Sequence, residues 1–213
     1  MLPAILATAV SAVFAVAVWL QYRRKRQPYQ LAWSIGLAMF AVASAAGVAA
    51  RSGAPTEVEY RLFYLFGAIL NVAWLAVGTL YVTVRRPIAD TGFVLVYLFT
   101  AVSTIAVFVS PVDLTAALDS GRGFHDAPLP RILAGVGSGL GSIVLFGGAL
   151  RSAWVFLRRR HNGRRAIANV VIAVGVLIVA AGGTATFTGA SGLVDLTNLV
   201  GVSVMFAGFL LVR

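Results

Sequence analysis

The sequence predicts an all-α fold: a seven-transmembrane helix bundle with its N-terminus outside and its C-terminus in the cytoplasm. Three observations predict it. The 213-residue chain is 60% hydrophobic and only 11% charged, whereas a soluble domain carries about a quarter charged residues. Seven apolar stretches fill almost all of it, each near the roughly 20 residues that cross a bilayer core. Its basic residues gather in every second gap between those stretches. Residues 1–213 therefore read as a single integral membrane domain with no room for a water-soluble catalytic module.

The spans are expected at 2–21, 29–50, 61–83, 92–110, 131–157, 166–186 and 191–212. Each must be a helix or a strand of a closed barrel, because backbone amides find no partner in lipid. Barrel strands are about 10 residues long and alternate in polarity; these stretches are longer and uniformly apolar, so helices are predicted. The first is not patterned as a signal peptide, which would carry basic residues before its apolar core. Here Arg23, Arg24, Lys25 and Arg26 follow it, so it reads as a retained helix. Between spans 4 and 5 runs the one long connection, residues 111–130. Its Pro111, Gly121, Gly123, Pro128 and Pro130 act as helix breakers and predict a short outer cap.

Orientation follows from the basic residues. Twelve of the seventeen (Arg23, Arg24, Lys25, Arg26, Arg85, Arg86, Arg158, Arg159, Arg160, Arg164, Arg165 and Arg213) fall on one side. The other side has Arg51, Arg61, Arg122 and Arg131 beside five carboxylates. Short loops rich in arginine and lysine stay in the cytoplasm. The net charge of +10 is thus a topology signal, and no nucleic-acid partner is expected. Cysteine is absent, which removes disulfides, thiolate metal sites and cysteine nucleophiles.

Two of the arginine runs align. With Trp19 set on Trp154, Arg23-Arg24-Lys25 meets Arg158-Arg159-Arg160, Gln27 meets Asn162, and Ala45-Ala46-Gly47 meets Ala180-Ala181-Gly182. One deletion later, Arg61-Leu62 meets Asp195-Leu196, Tyr64 meets Asn198, Leu65 meets Leu199 and Gly67 meets Gly201. Matched spacing of this kind predicts a repeat: helices 1–3 (about 2–86) and 5–7 (about 131–213), parallel, joined by a connector helix (about 91–110) and the outer loop. An odd connector is required, since three helices invert the chain. The alignment ends Arg213 well before the position matching Arg85, so further chain is expected beyond it.

In helix number, orientation and three-one-three layout the chain resembles the SWEET and PQ-loop membrane proteins, whose parallel repeats are related by an axis along the membrane normal. The resemblance is architectural and implies no substrate residues. Those families carry prolines within the helices of both repeats; here Pro3 is the only proline inside an expected span. The string from Trp74 through Gly78 to Tyr81 resembles uncharacterised bacterial seven-helix proteins, which implies a bacterial cytoplasmic (inner) membrane, multi-pass, and no activity.

Ionisable residues within a span are functional candidates by default. The repeat sets Asp195, near the outer end of span 7, against Arg61 of span 3. An Arg61–Asp195 pair is expected, with Tyr64 and Asn198 beside it, either as an outer gate or solute site or as a static clasp between repeats. Asn71 and Trp74, mid-span in helix 3, are further ligand candidates; an interhelical hydrogen bond is the competing role for Asn71, and Asn169 reads the same way. Arg151 lies seven residues before the arginine run, roughly 10 Å deep. It either snorkels or contacts an anion or lipid phosphate. The runs at Arg23, Arg24, Arg158, Arg159 and Arg160 are candidates for anionic headgroups.

Span 5 is rich in small residues, with Gly137 and Gly141 forming GxxxG among Ala134, Ser138 and Ser142. Such a stripe lets backbones approach, within the bundle or across a seam with a homo-oligomer or protein partner. Both histidines, His125 and His161, are in loops, and the only lysine is Lys25. No haem ligation, retinal Schiff base, HExxH motif, membrane carboxylate pair or Ser–His arrangement is available. No cofactor, no metal and no enzymatic activity are expected. The leading expectation is binding or passage of a small solute through the bundle; the alternative is a sensor or accessory subunit of a membrane complex.

Overall fold

A computed structural model describes residues 2–53, 55–120, 123–159, 163–187 and 194–211. The described chain is helical throughout, with no strand among those residues. Its helices are α1 (Leu2–Lys25), α2 (Pro28–Ser52), α3 (Glu57–Thr83), α4 (Arg86–Val109), α5 (Leu114–Ser120), α6 (Pro128–Arg159), α7 (Gly163–Phe187) and α8 (Val194–Leu211). Among the described residues, α1, α2, α3, α4, α6 and α8 are long and apolar enough to cross a membrane. Within α7, the apolar segment Val170–Val179 is shorter than a span.

Several helices start before their expected spans, by one residue at α2 and by about a turn or more at α3, α4 and α6. Proline explains three of them: Pro28 and Pro87 occupy the first turns of α2 and α4, and Pro128 begins α6. A first-turn residue needs no N–H donor, and proline's fixed φ suits the position. The expectation that Pro128 and Pro130 break the chain is corrected accordingly; both lie within the first turn of α6. For α3 the reason is a capping box. Thr56 Oγ1 accepts from Glu59 N–H at 3.3 Å, and Glu59 Oε2 accepts from Thr56 N–H at 2.9 Å. Two otherwise orphaned donors are thereby satisfied. Between α1 and α2, Arg26 takes a left-handed φ of 51°, which turns the chain back before Pro28.

The long helices form a ring. Its neighbours run α1, α2, α3, α6, α7, α8 and back to α1, while α4 lies outside against α3 and α6. Two cores hold it. Phe14, Val18, Leu37, Val202 and Met205 join α1, α2 and α8, with Phe14 5.0 Å from Phe206 and 5.3 Å from Phe209 between ring centroids. Leu65, Ile69, Trp74, Val107, Phe124 and Leu133 join α3, α4, the outer loop and α6. Large side chains left outside these cores, such as Val94, Leu98, Val102 and Ile105 on α4, present an apolar outer surface suited to lipid.

α3 is not uniformly α-helical. Tyr64–Leu70 is a π-helix, which returns to α-helix at Asn71. Where the register changes, Val72 N–H donates to Asn71 Oδ1 at 2.6 Å, and Ser138 Oγ on α6 donates to the Ala68 carbonyl at 2.5 Å. These are the donor and acceptor that an α-helical ladder would pair with each other; each has a side-chain partner here. The small-residue stripe of α6 makes the approach possible. A Cβ at Gly137 would sit 2.2 Å from the Ile69 carbonyl oxygen, and one at Gly141 would be 2.9 Å from Val72 Cγ1. On the opposite side of α6, a Cβ at Gly135 or Gly139 would meet nothing within 4 Å. The inward half of the stripe is therefore packing within the bundle.

Gly137→Ala should cost about 1–3 kcal/mol, as overpacking does in a tight contact. Gly139→Ala should be neutral or stabilising, because alanine favours helix by up to about 1 kcal/mol. Ser138→Ala should cost about 0.6 kcal/mol, as interhelical hydrogen bonds in membranes do. Unfolding titrations of the purified variants in mixed detergent micelles measure all three.

Candidate functional site

Two ion pairs and the loop between α4 and α6 occupy one end of the bundle, at the end of α2 and the starts of α3 and α8. Arg61, in the first α-helical part of α3, is largely buried. Its Nη2 lies 3.0 Å from Glu57 Oε2, one turn back, and its Nη1 donates to the Val107 carbonyl of α4. That carbonyl is among the last four of α4, which have no intrahelical donor. A guanidinium there satisfies the orphan and complements the negative end of the helix dipole. Arg61 thus ties the start of α3 to the end of α4.

Asp195, in the first turn of α8, pairs with Arg51 at the end of α2: Nη1 to Oδ2 is 2.9 Å and Nη2 to Oδ1 is 3.1 Å. The expected Arg61–Asp195 pair is corrected on both sides. The ring order gives the physical reason. α3 packs on α2, α6 and α4, whereas α8 packs on α7 and α1, so Arg61 turns outward to α4 while the outer end of α2 reaches Asp195. The Arg51–Asp195 clasp joins parts of the chain 144 residues apart. With side chains 46% and 25% exposed, it falls in the weak class of ion pairs worth about 0–1 kcal/mol. Its carboxylate also sits at the positive end of α8.

Tyr64 does not join either pair. It packs edge-on against Phe124 of the outer loop, 4.8 Å between centroids, beside Tyr60 at 5.9 Å. Phe124 is 1% exposed and plugs the outer end of α3. Gly123 N–H donates to the Tyr60 hydroxyl at 2.9 Å, and the Gly123 carbonyl accepts from Asp113 N–H at 2.9 Å. Asp113 Oδ1 in turn accepts from Thr115 and Ala116 N–H at 2.9 and 3.0 Å, starting α5. The loop between α4 and α6 thus packs over the start of α3. His125 extends it, 2.9 Å from Asp126.

The remaining candidates are dispersed. Asn71 is buried at the register change of α3. Trp74 faces α4, donating to Thr100 Oγ1 at 3.1 Å and meeting Phe93 edge-on at 5.4 Å. Asn198 is half-buried, one turn inside Asp195. At the other end of the bundle, Arg151 is exposed and lines an open groove with Arg85. Arg23 and Arg24 close the last turn of α1. Arg160 and His161 lie outside the described residues, as do the side chains of Arg158, Arg159 and Asn169. Among the described residues, no group of three histidine or acidic side chains could hold a metal ion.

Two recesses adjoin these helices. One, of about 90 Å³, lies between α2, α3, α6 and α7 and is lined by Trp33, Thr79, Thr83, Phe146, Ser152 and Val176 among others. The other is the Arg85–Arg151 groove, about 790 Å³ and open on the side of α3, α4 and α6. Neither touches Asn71 or Asp195. No protein-family model, curated protein or solved structure matches this chain.

The sequence hides Arg51 because it sits in a cluster of loop charges, and hides Phe124 because it is one aromatic in a polar loop. The Thr56–Glu59 capping box is a readable signal for the outer start of α3. Because the chain has no cysteine, the clasp can be tested by cross-linking. Paired cysteines at Arg51 and Asp195 should be bridged by a short bifunctional thiol reagent, whereas cysteines at Arg61 and Asp195 should not. The reverse pattern would restore the pairing expected from the repeat.

Proposed function

We propose that the chain is a non-catalytic, multi-pass module of a bacterial cytoplasmic membrane, acting as a sensor or accessory subunit rather than as a solute path. One observation carries this reading: the polar groups best placed to serve a path have structural partners. Arg61 is held by Glu57 and Val107, Asp195 by Arg51, Asn71 by its own helix junction and Trp74 by Thr100. A transport site needs such groups to be free for a ligand in at least one state. The apolar faces of α4 and α6 left outside the cores offer surface to lipid, a second copy or a partner helix.

The proposal includes α7 as a seventh span, the N-terminus outside, and two parallel repeats joined by α4. Support for the repeats comes from the ring itself. α1–α2, α2–α3 and α3–α6 contacts correspond to α6–α7, α7–α8 and α8–α1 contacts when α1–α3 is set on α6–α8. Gly67 abuts Ala43 of α2, and its partner in the alignment, Gly201, abuts Gly175 and Val179 of α7. Trp19 and Trp154, also aligned, are both exposed, as aromatic residues at a membrane interface are.

A second reading, passage of a small solute, is favoured by the 90 Å³ recess, which lies between the proposed repeats. It is small, about 90 Å³, and its hydroxyls belong to Thr79, Thr83 and Ser152. The two readings diverge in proteoliposomes. The packed-module reading expects no uptake of sugars, amino acids or small ions above protein-free vesicles. Uptake that Asp195→Asn abolishes would replace it with the transport reading. Topology is checked separately: single cysteines at Lys25 and Arg86 should be labelled only from the cytoplasm, and those at Ser52 and Asp113 only from outside.

A further inference from the structure

We propose that the groove between the end of α3, the start of α4 and the inner half of α6 is a binding site for an anionic phospholipid. Its arginines would hold the phosphate, and its floor would hold the upper part of one acyl chain. The floor is apolar, with Leu80, Ile88 and Ile143 in its lining, and Gly147 leaves it unfilled: a Cβ there would meet nothing within 4 Å. Arg85 and Arg151 line the same groove, and no carboxylate does.

The packing brings the two arginines to one place. Gly148 of α6 lies directly against α3, where an added Cβ would be 2.2 Å from Thr79 Cγ2 and 3.5 Å from Thr83 Cγ2. Arg151 follows Gly148 by one turn, and Arg85 follows Thr83 by two residues. Both side chains therefore issue from a single helix crossing, one from the loop and one from within α6. Both residues are exposed, and neither has an ion-pair partner among the described residues. Asp90, one turn into α4, is engaged instead by the Tyr81 hydroxyl at 2.7 Å.

Two unpaired guanidiniums over an apolar trough match a phosphodiester carrying hydrocarbon. Guanidinium presents paired donors suited to phosphate oxygens, and basic pockets between spanning helices recognise anionic headgroups. The distance along α6 from Arg151 to Ile143 is about 12 Å at 1.5 Å per residue. That is most of one leaflet's share of a hydrocarbon core about 30 Å thick. The site does not depend on which side of the membrane it faces, only on its place at the end of the spans. It is also independent of whether the bundle passes a solute.

Native mass spectrometry of the purified full chain tests the site, with phosphatidylglycerol, phosphatidylcholine and soluble sn-glycerol 3-phosphate as separate probes. Phosphatidylglycerol should be retained in preference to phosphatidylcholine. Arg85→Gln and Arg151→Gln should each weaken its retention roughly five-fold, the worth of one basic residue at a lipid surface. Gly147→Leu should exclude the acyl chain and also lower retention, with thermal stability unchanged because its side chain enters open space. Arg131→Gln, at the far end of α6 and outside the groove, should leave retention as it is. Equal retention of the two lipids would overturn the site, as would retention undiminished by Gly147→Leu or an equal loss from Arg131→Gln. Glycerol 3-phosphate binding as tightly as the lipid would assign the arginines to a soluble anion and overturn the lipid assignment.

Discussion

The register change in α3 is the constraint on which the rest of the bundle depends. A helix in lipid must satisfy its backbone internally or through neighbouring protein, and the π segment Tyr64–Leu70 shifts the ladder inside a span. Asn71 and Ser138 take up the donor and acceptor at the junction. Ser138 can do so only because α6 is stripped to glycine on either side of the contact. Position 137 faces a carbonyl and position 141 faces Val72, so the two helices meet backbone to backbone. The polar residues of α3 and the small residues of α6 are therefore two halves of one interaction.

From that contact the ring follows. With α6 held against α3, α4 is displaced to the outside, where Trp74–Thr100 and Arg61–Val107 fasten it near its middle and its outer end. α7 and α8 pair through their own close approach, with a Cβ at Gly175 falling 2.6 Å from the Gly201 carbonyl oxygen. Phe14, Phe206 and Phe209 then close α8 onto α1. Two kinds of association hold the circle: glycine-lined backbone contacts at α2–α3, α3–α6 and α7–α8, and aromatic interdigitation between α8 and α1. In lipid neither gains from the hydrophobic effect between helices, so both rest on close packing and on the few hydrogen bonds that packing permits.

The membrane class was legible from composition, and the helix positions were legible to within about a turn except at the start of α4, which lies nearer two turns before its expected span. Errors at the ends came from reading prolines as breakers without asking whether they stood first in a helix, as Pro128 does. The π segment left no mark in the sequence, because Tyr64–Leu70 is as apolar as its flanks. The alignment pointed to Arg61 and Asp195 as a pair, and each has a partner at one end of the bundle, though not the other. Equivalence in sequence says which residues occupy matching places; it does not say which face of its helix each one uses. Arg61 turns towards α4, a helix outside the aligned segments, and this asymmetry is invisible to an alignment of the two halves.

That asymmetry also bears on function. A pseudo-symmetric bundle can rock only if contacts broken in one half are remade in the other. Here α4 is bound to the first half by Arg61 and Trp74, and the outer loop is bound to it by Phe124 against Tyr60 and Tyr64. Moving α3 against α6 would uncover the Ala68 carbonyl in lipid and part the glycine contacts at once. The joint between the halves is therefore stiff at its middle. The Arg51–Asp195 clasp at the outer end is comparatively loose, being part-exposed and worth little in itself. A stiff seam between α3 and α6 fits the proposed sensor or accessory module better than it fits the opening of a central path.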